Sequence, residues 1–249
     1  MKDLINEIYE CTDCDHKDGC NKVYYKQRLN PHIAIILQNP GPPAKNYEKK
    51  EKEILGNLSH EEKAVYHSNE LKKWLLGSYN KEFFLKFFSL LEAHNVIDTG
   101  IKGYTELENY ICSGDIYNDV YFTHGLKCRG RTNDFKPKHY NYCFNKYIKR
   151  EISRLPNLKL IFVFSTRTWD SFYGEFAPVP IQNTFIYNMK VTQVHGNVFK
   201  VSLQTKGSNL VRPVHVIPLV HMSPNTRNNT LRNSYFEFLR EGLEYYAGC

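Results

Sequence analysis

Four short apolar runs constrain the fold most: His32-Ile33-Ala34-Ile35-Ile36-Leu37, Val120-Tyr121-Phe122, Leu160-Ile161-Phe162-Val163-Phe164 and Val214–Val220. A half-buried strand would alternate polar and apolar residues. Continuous runs of this length suit strands buried on both faces, as in a parallel sheet. Between them lie segments with helical spacing. Phe83, Phe84, Phe87, Phe88 and Leu91 share one face of Asn80–Asn95. Tyr140, Phe144, Tyr147, Ile148 and Ile152 do so within Lys136–Leu155, and Leu231, Tyr235, Phe238, Leu239 and Gly242 within Asn229–Ala247. Lys45–Lys73 is charged and helical in part, with Ser59 as N-cap to His60-Glu61-Glu62. The alternation of strands and helices predicts an α/β chain with a largely parallel sheet. Pro218 places the last strand near an edge, and His195-Gly196-Asn197 reads as a hairpin turn within Phe185–Leu203.

With 249 residues, 41% apolar and 24% charged, the chain can bury a sizeable core and does not read as disordered. No apolar run approaches the ~20 residues of a membrane span. Met1–Glu7 lacks the apolar stretch of a secretory signal. The expectation is a cytoplasmic protein, in which seven cysteines need an explanation other than disulfides. The net charge of +7, from 33 basic and 26 acidic residues, hints at an anionic partner without establishing one.

In an open α/β sheet, ligands bind at the carboxyl ends of the strands. Two loops occupy that position. Gln38-Asn39-Pro40-Gly41-Pro42-Pro43 follows the first strand, and its prolines and glycine forbid helix and ladder alike. A short amide on so rigid a loop can orient a water molecule, or can simply satisfy the turn's own backbone. His221-Met222-Ser223-Pro224 follows the last strand, as a catalytic loop or as an ordinary strand end. Cys11 and Cys14 form a C-x2-C pair, with Cys128 and Cys143 far downstream. On spacing alone these are a four-cysteine metal site, with zinc and iron–sulfur both open, or a pair joined by two buried thiols.

Taken in order, these residues resemble the uracil-DNA glycosylase superfamily, closest to its iron–sulfur family 4, with family 5 close behind. The similarity runs from about residue 8 to 240. It rests on Cys11-x2-Cys14, the Leu37-Gln38-Asn39-Pro40-Gly41 loop, Thr123-His124-Gly125-Leu126-Lys127-Cys128, Cys143, and His221-Met222-Ser223-Pro224-Asn225-Thr226-Arg227. The resemblance implies a three-layer αβα sandwich around a central, mainly parallel four-stranded sheet. It implies one domain over 1–249, with insertions at about 45–79 and 185–213. The implied function is a monomeric, monofunctional DNA glycosylase that hydrolyses the N-glycosidic bond of a flipped base in double- or single-stranded DNA.

The resemblance also assigns roles. Asn39 orients the attacking water and His221 hydrogen bonds the leaving base. His124, Gln38 and Tyr47 face the base. Ser223, Pro224, Arg227, Lys127, Arg129 and Arg131 contact the DNA backbone. Cys11, Cys14, Cys128 and Cys143 ligate a 4Fe-4S cluster, with zinc the lesser alternative and Cys20 an extra thiol or substitute ligand. The sequence also departs from the family. Asn39 stands where family 4 has Ala and is similar to the Asn-Pro-Gly-Pro loops of single-strand-selective and mismatch-specific glycosylases. His124 replaces the base-reading Asn, which shifts the expected substrate from plain uracil toward a modified pyrimidine. Leu37, Met222 and Thr226 replace the family's Gly, Pro and apolar wedge. These departures also suit the alternative, a catalytically inactive iron–sulfur protein that binds nucleic acid.

Overall fold

The computed structural model describes residues 2–13, 22–41, 48–130, 135–181, 189–204, 211–221 and 233–248. The four apolar runs form neighbouring parallel strands: β1 (Ile33–Leu37), β2 (Val120–His124), β3 (Leu160–Phe164) and, last in the chain, β6 (Val211–Leu219). Every residue of β1, β2 and β3 is buried, as continuous apolar runs require. Their registers align Leu37 with His124 and Phe164 with Leu219, so the carboxyl ends of all four lie along one edge.

The sheet is larger than the expected four strands. Its order is β2-β1-β3-β6-β5-β4, where β4 (Val179–Pro180) and β5 (Phe199–Gln204) pair antiparallel. The chain is thus α/β with a mixed six-stranded sheet. Strand β5 shows the alternating burial of a one-sided strand, quite unlike the runs that signal the parallel four. Its antiparallel partners are β4 and β6, and His195-Gly196-Asn197 closes a tight hairpin with neither. Those residues link a helical turn to β5. Nor does Pro218 mark an edge, because β6 lies between β3 and β5. Pairing with β5 stops at Val216, so the N–H that Pro218 lacks is not needed there.

The helices are α1 (Lys2–Tyr9), α2 (Glu48–Gly56), α3 (His60–Leu75), α4 (Ser78–Ala93), α5 (Tyr104–Ser113), α6 (Ile116–Asp119), α7 (Pro137–Cys143), α8 (Lys149–Ile152), α9 (Thr166–Phe176), α10 (Val191–Val194) and a C-terminal helix, Tyr235–Ala247. A π-helical turn, Phe144–Ile148, joins α7 to α8, where the sequence suggested one uninterrupted helix. Ser59 caps α3 as expected, in a reciprocal capping box with Glu62. Phe83, Phe84, Phe87, Phe88 and Leu91 of α4 are all buried, and Phe87 meets Phe162 of β3 edge-on at 5.0 Å. Among the described residues no helix is long and apolar enough to cross a membrane.

Among the described residues, two clusters make up the core. The larger surrounds the sheet. The smaller joins Leu4, Ile5 and Ile8 of α1 to Tyr24, Leu126, Cys128, Tyr140, Cys143 and Tyr147.

The C-terminal helix touches the turn after α10 through two glycines. A Cβ on Gly242 would stand 2.0 Å from the Gly196 carbonyl oxygen, and Gly196 itself has φ +81°. Beside this contact, His195 Nδ1 accepts from the Val220 N–H at 3.2 Å, and the Tyr235 hydroxyl donates to the Val220 carbonyl at 3.1 Å. The residue preceding His221 is therefore gripped on both sides. Gly242→Ala forces backbone apart here, and overpacking of this kind costs about 1–3 kcal/mol. Chemical denaturation should show that loss, and an unchanged midpoint would show that the contact is not tight.

Candidate active site

The strand ends open into a cleft of about 850 Å³. Its floor is built from Gln38, Asn39, Pro40 and Gly41 after β1, His124 at the end of β2, Phe164 at the end of β3, and His221 after β6. Its roof is built from α2 and α3, through Lys50, Glu51, Ile54, Tyr66, His67, Glu70, Lys73 and Trp74. The topology thus brings Asn39, His124 and His221 together, as expected from the carboxyl-end rule. The segment expected as an insertion is the roof.

The loop after β1 is fastened to the loop after β2. Gly125 N–H donates to Leu37 O at 2.7 Å, Leu126 N–H to Gln38 O at 3.1 Å, and Gly130 N–H to Pro40 O at 3.1 Å. The Asn39 amide reinforces this. Its Nδ2 donates to Gly130 O at 2.8 Å and to Pro40 O at 3.2 Å, while Tyr140 donates to its Oδ1 at 3.2 Å. Burial raises the Tyr140 phenol above its ordinary pKa, which keeps that proton in place. An amide oxygen has two acceptor positions, so one remains on Asn39 for a water.

His124 is 6% exposed, with Nδ1 3.2 Å from the Tyr25 hydroxyl. Burial, with the charges of Lys127 and Arg129, holds its pKa well below the ordinary value. Desolvation also lowers His221, which lies exposed at the cleft margin. Both rings therefore serve as neutral imidazoles at pH 7.

Lys127 does not reach a DNA phosphate. It is 3% exposed, and its Nζ lies 2.5 Å from Glu151 Oε1 and 2.5 Å from Thr123 Oγ1. Thr123 in turn donates to Glu151 Oε2 at 2.5 Å. A lysine at a strand end reads as a surface cation only while its buried carboxylate partner is unseen. Arg129 lines the cleft, but its guanidinium pairs with Glu51 and its Nε donates to Gly41 O at 3.0 Å. It fastens the α2 roof to the floor, which is not the backbone contact expected of it. Tyr47, Arg131, Ser223, Pro224 and Arg227 lie outside the described residues.

Of the four cysteines, Cys128 and Cys143 are buried in the smaller core, Cys11 packs against it, and Cys14 lies outside the described residues, as does Cys20. Lys22 bridges to Cys128. Among the described residues, no group of three or more His, Cys, Asp or Glu side chains could hold a metal, so a metal beside Cys128 and Cys143 would need a ligand from outside them.

Sequence reasoning missed His67, which α3 sets in the cleft wall at 2% exposure. The available signal was a histidine inside the buried stripe of Ala64, Ser68, Leu71 and Leu75. Desolvation lowers its pKa to about 3, and His195 falls to about 4 for the same reason. Unfolding releases His67, His124 and His195 to bind protons near pH 6.5. Stability should then be full above about pH 6.5 and fall as pH drops toward the folded values. The loss reaches about 1.4 kcal/mol per pH unit for each fully titrating histidine. Denaturant melts at pH 7 and 5 test this, and equal stabilities would refute it.

No known protein-family model matches the chain, and no curated protein matches its sequence.

Proposed function

We propose that the protein is a monofunctional DNA glycosylase that hydrolyses the N-glycosidic bond of a flipped uracil or modified pyrimidine and leaves an abasic site. The observation that carries this reading is the convergence of Asn39, His124 and His221, from three separate strand ends, on one cleft. Scission of a deoxynucleoside's glycosidic bond develops positive charge on the sugar and negative charge on the departing base. Asn39 Oδ1 orients a water toward C1′, and a weak acceptor suffices because the sugar cation is highly electrophilic. Neutral His221 donates an N–H to the base oxygen as charge grows there. His124 contacts the base edge. Extrusion of the base into a closed pocket supplies selectivity.

The reading extends to a three-layer αβα arrangement and to a monomer acting on double- or single-stranded DNA in the cytoplasm. Ser223, Pro224, Arg227 and Arg131 contact its phosphates. Cys11, Cys14, Cys128 and Cys143 would hold a 4Fe-4S cluster, cross-linking the N-terminal segment to the β2 loop and α7. Metal analysis tests that part. Iron and sulfide lost on Cys128→Ser support it, and stoichiometric zinc overturns it.

The decisive experiment incubates single-stranded and duplex DNA carrying uracil or modified pyrimidines with the protein and scores alkali-labile sites. Release of a base supports the enzyme. Salt-sensitive binding without release supports the inactive binder. That second reading is favoured by one observation, the commitment of both Asn39 N–H groups to backbone carbonyls.

A further inference from the structure

Two histidines of the cleft share one local design. The Tyr25 hydroxyl stands 3.2 Å from His124 Nδ1, and the Tyr9 hydroxyl 3.0 Å from His67 Nδ1. Burial raises both phenols, so each keeps its proton. Tyr9 also lies 3.5 Å from the Tyr24 carbonyl, which is the longer and weaker contact. With each tyrosine donating to Nδ1, the single proton of each neutral imidazole sits on Nε2.

His67 differs from its helix neighbours. Ser68 is satisfied inside the protein, accepting from Lys26 N–H at 2.8 Å and donating to Ala64 O at 2.9 Å. His67 Nε2 is buried without a hydrogen-bond partner, on a residue that lines the cleft. Buried polar atoms in native proteins are almost always partnered, so the missing acceptor points to a bound ligand. Of the cations that line the cleft, Arg129 is paired with Glu51 and Lys73 with Glu70, and Lys50 stands on the other roof helix. Such a wall suits neutral acceptors better than a phosphate, which calls for charged donors.

We propose that His67 is a second base-contacting histidine, and that it and His124 present two Nε2–H donors to carbonyl or hydroxyl oxygens of an uncharged, oxygen-substituted base. This inference rests on the glycosylase reading of the cleft. Tyr9 and Tyr25 are positioning residues, which fix the tautomer that donates.

The test uses the native protein with 15N-labelled histidine. It is titrated with single-stranded and duplex oligonucleotides carrying 2′-deoxyuridine or 5-hydroxymethyl-2′-deoxyuridine. The expected spectra show His67 and His124 as Nε2–H tautomers, with the His67 resonance shifting on addition of at least one oligonucleotide. No His67 shift with any of them overturns the proposal. Base release from the same oligonucleotides is scored separately. A His67 shift without release supports the contact and overturns the enzyme. Where release occurs, His67→Ala should lower kcat/KM at least tenfold, and His67→Gln, which keeps an N–H donor, should recover most of it. Unchanged kcat/KM in His67→Ala overturns the contact and leaves the enzyme standing. Tyr9→Phe should mix the two tautomers in the spectrum, a signature that a merely structural role would not produce.

Discussion

His221→Ala is expected to slow base release by roughly 10²–10³-fold in single-turnover assays, with folding intact. The magnitude is that of removing one preorganised donor from a charge that develops in the transition state. The fold should survive because His221 lies beyond β6 and is exposed, while His195 and Tyr235 hold Val220 through its backbone. Asn39→Ala should produce a comparable loss, but for two reasons at once. It removes the acceptor for water, and it frees Gly130 and Tyr140 from their bonds. Asn39→Asp separates the two, because it keeps the Oδ1 acceptor while replacing the Nδ2 donors with a carboxylate oxygen that faces the Gly130 and Pro40 carbonyls. If His221→Ala and Asn39→Ala both release base at the native rate, the proposed chemistry is wrong.

The largest expected effect on stability lies beneath the cleft. Glu151→Ala leaves Lys127 charged, buried and without its carboxylate, and leaves Thr123 without its acceptor. Breaking a buried pair from one side typically costs about 3–5 kcal/mol. The double replacement Lys127→Met with Glu151→Leu removes both charges and should recover most of that loss, since a buried ion pair is often no more stable than apolar residues of similar volume. Denaturant melts of the two variants beside the native protein check this. A Glu151→Ala protein as stable as the native one would show that Lys127 escapes to solvent, and its assignment as a phosphate contact would reopen.

The parallel strands were legible in the sequence because each is an uninterrupted apolar run, which is what burial on two faces demands. Strand β5 was legible only as part of a loosely alternating hairpin region, Phe185–Leu203, because nothing local links Lys200, Ser202 and Gln204 to the partners β4 and β6 that flank it. Helix α1 was passed over as a terminus without a signal segment, although Leu4, Ile5 and Ile8 are buried on one side of it. Asn39, His124 and His221 could be placed because each follows or ends a recognisable strand, and topology alone delivers strand ends to a common edge. Lys127 and His67 could not. Their environments depend on Glu151 and Tyr9, partners that no local pattern links to them.

The roof and the floor of the cleft descend from different parts of the chain. Asn39, His124 and His221 sit at strand ends, whereas α2 and α3 belong to the connection between β1 and β2. On the proposed reading, substitutions in the connection would reshape the space around the base while Asn39, His124 and His221 stay in register on the sheet. One lineage could then vary the roof and keep the floor constant, with His124 answering to both demands.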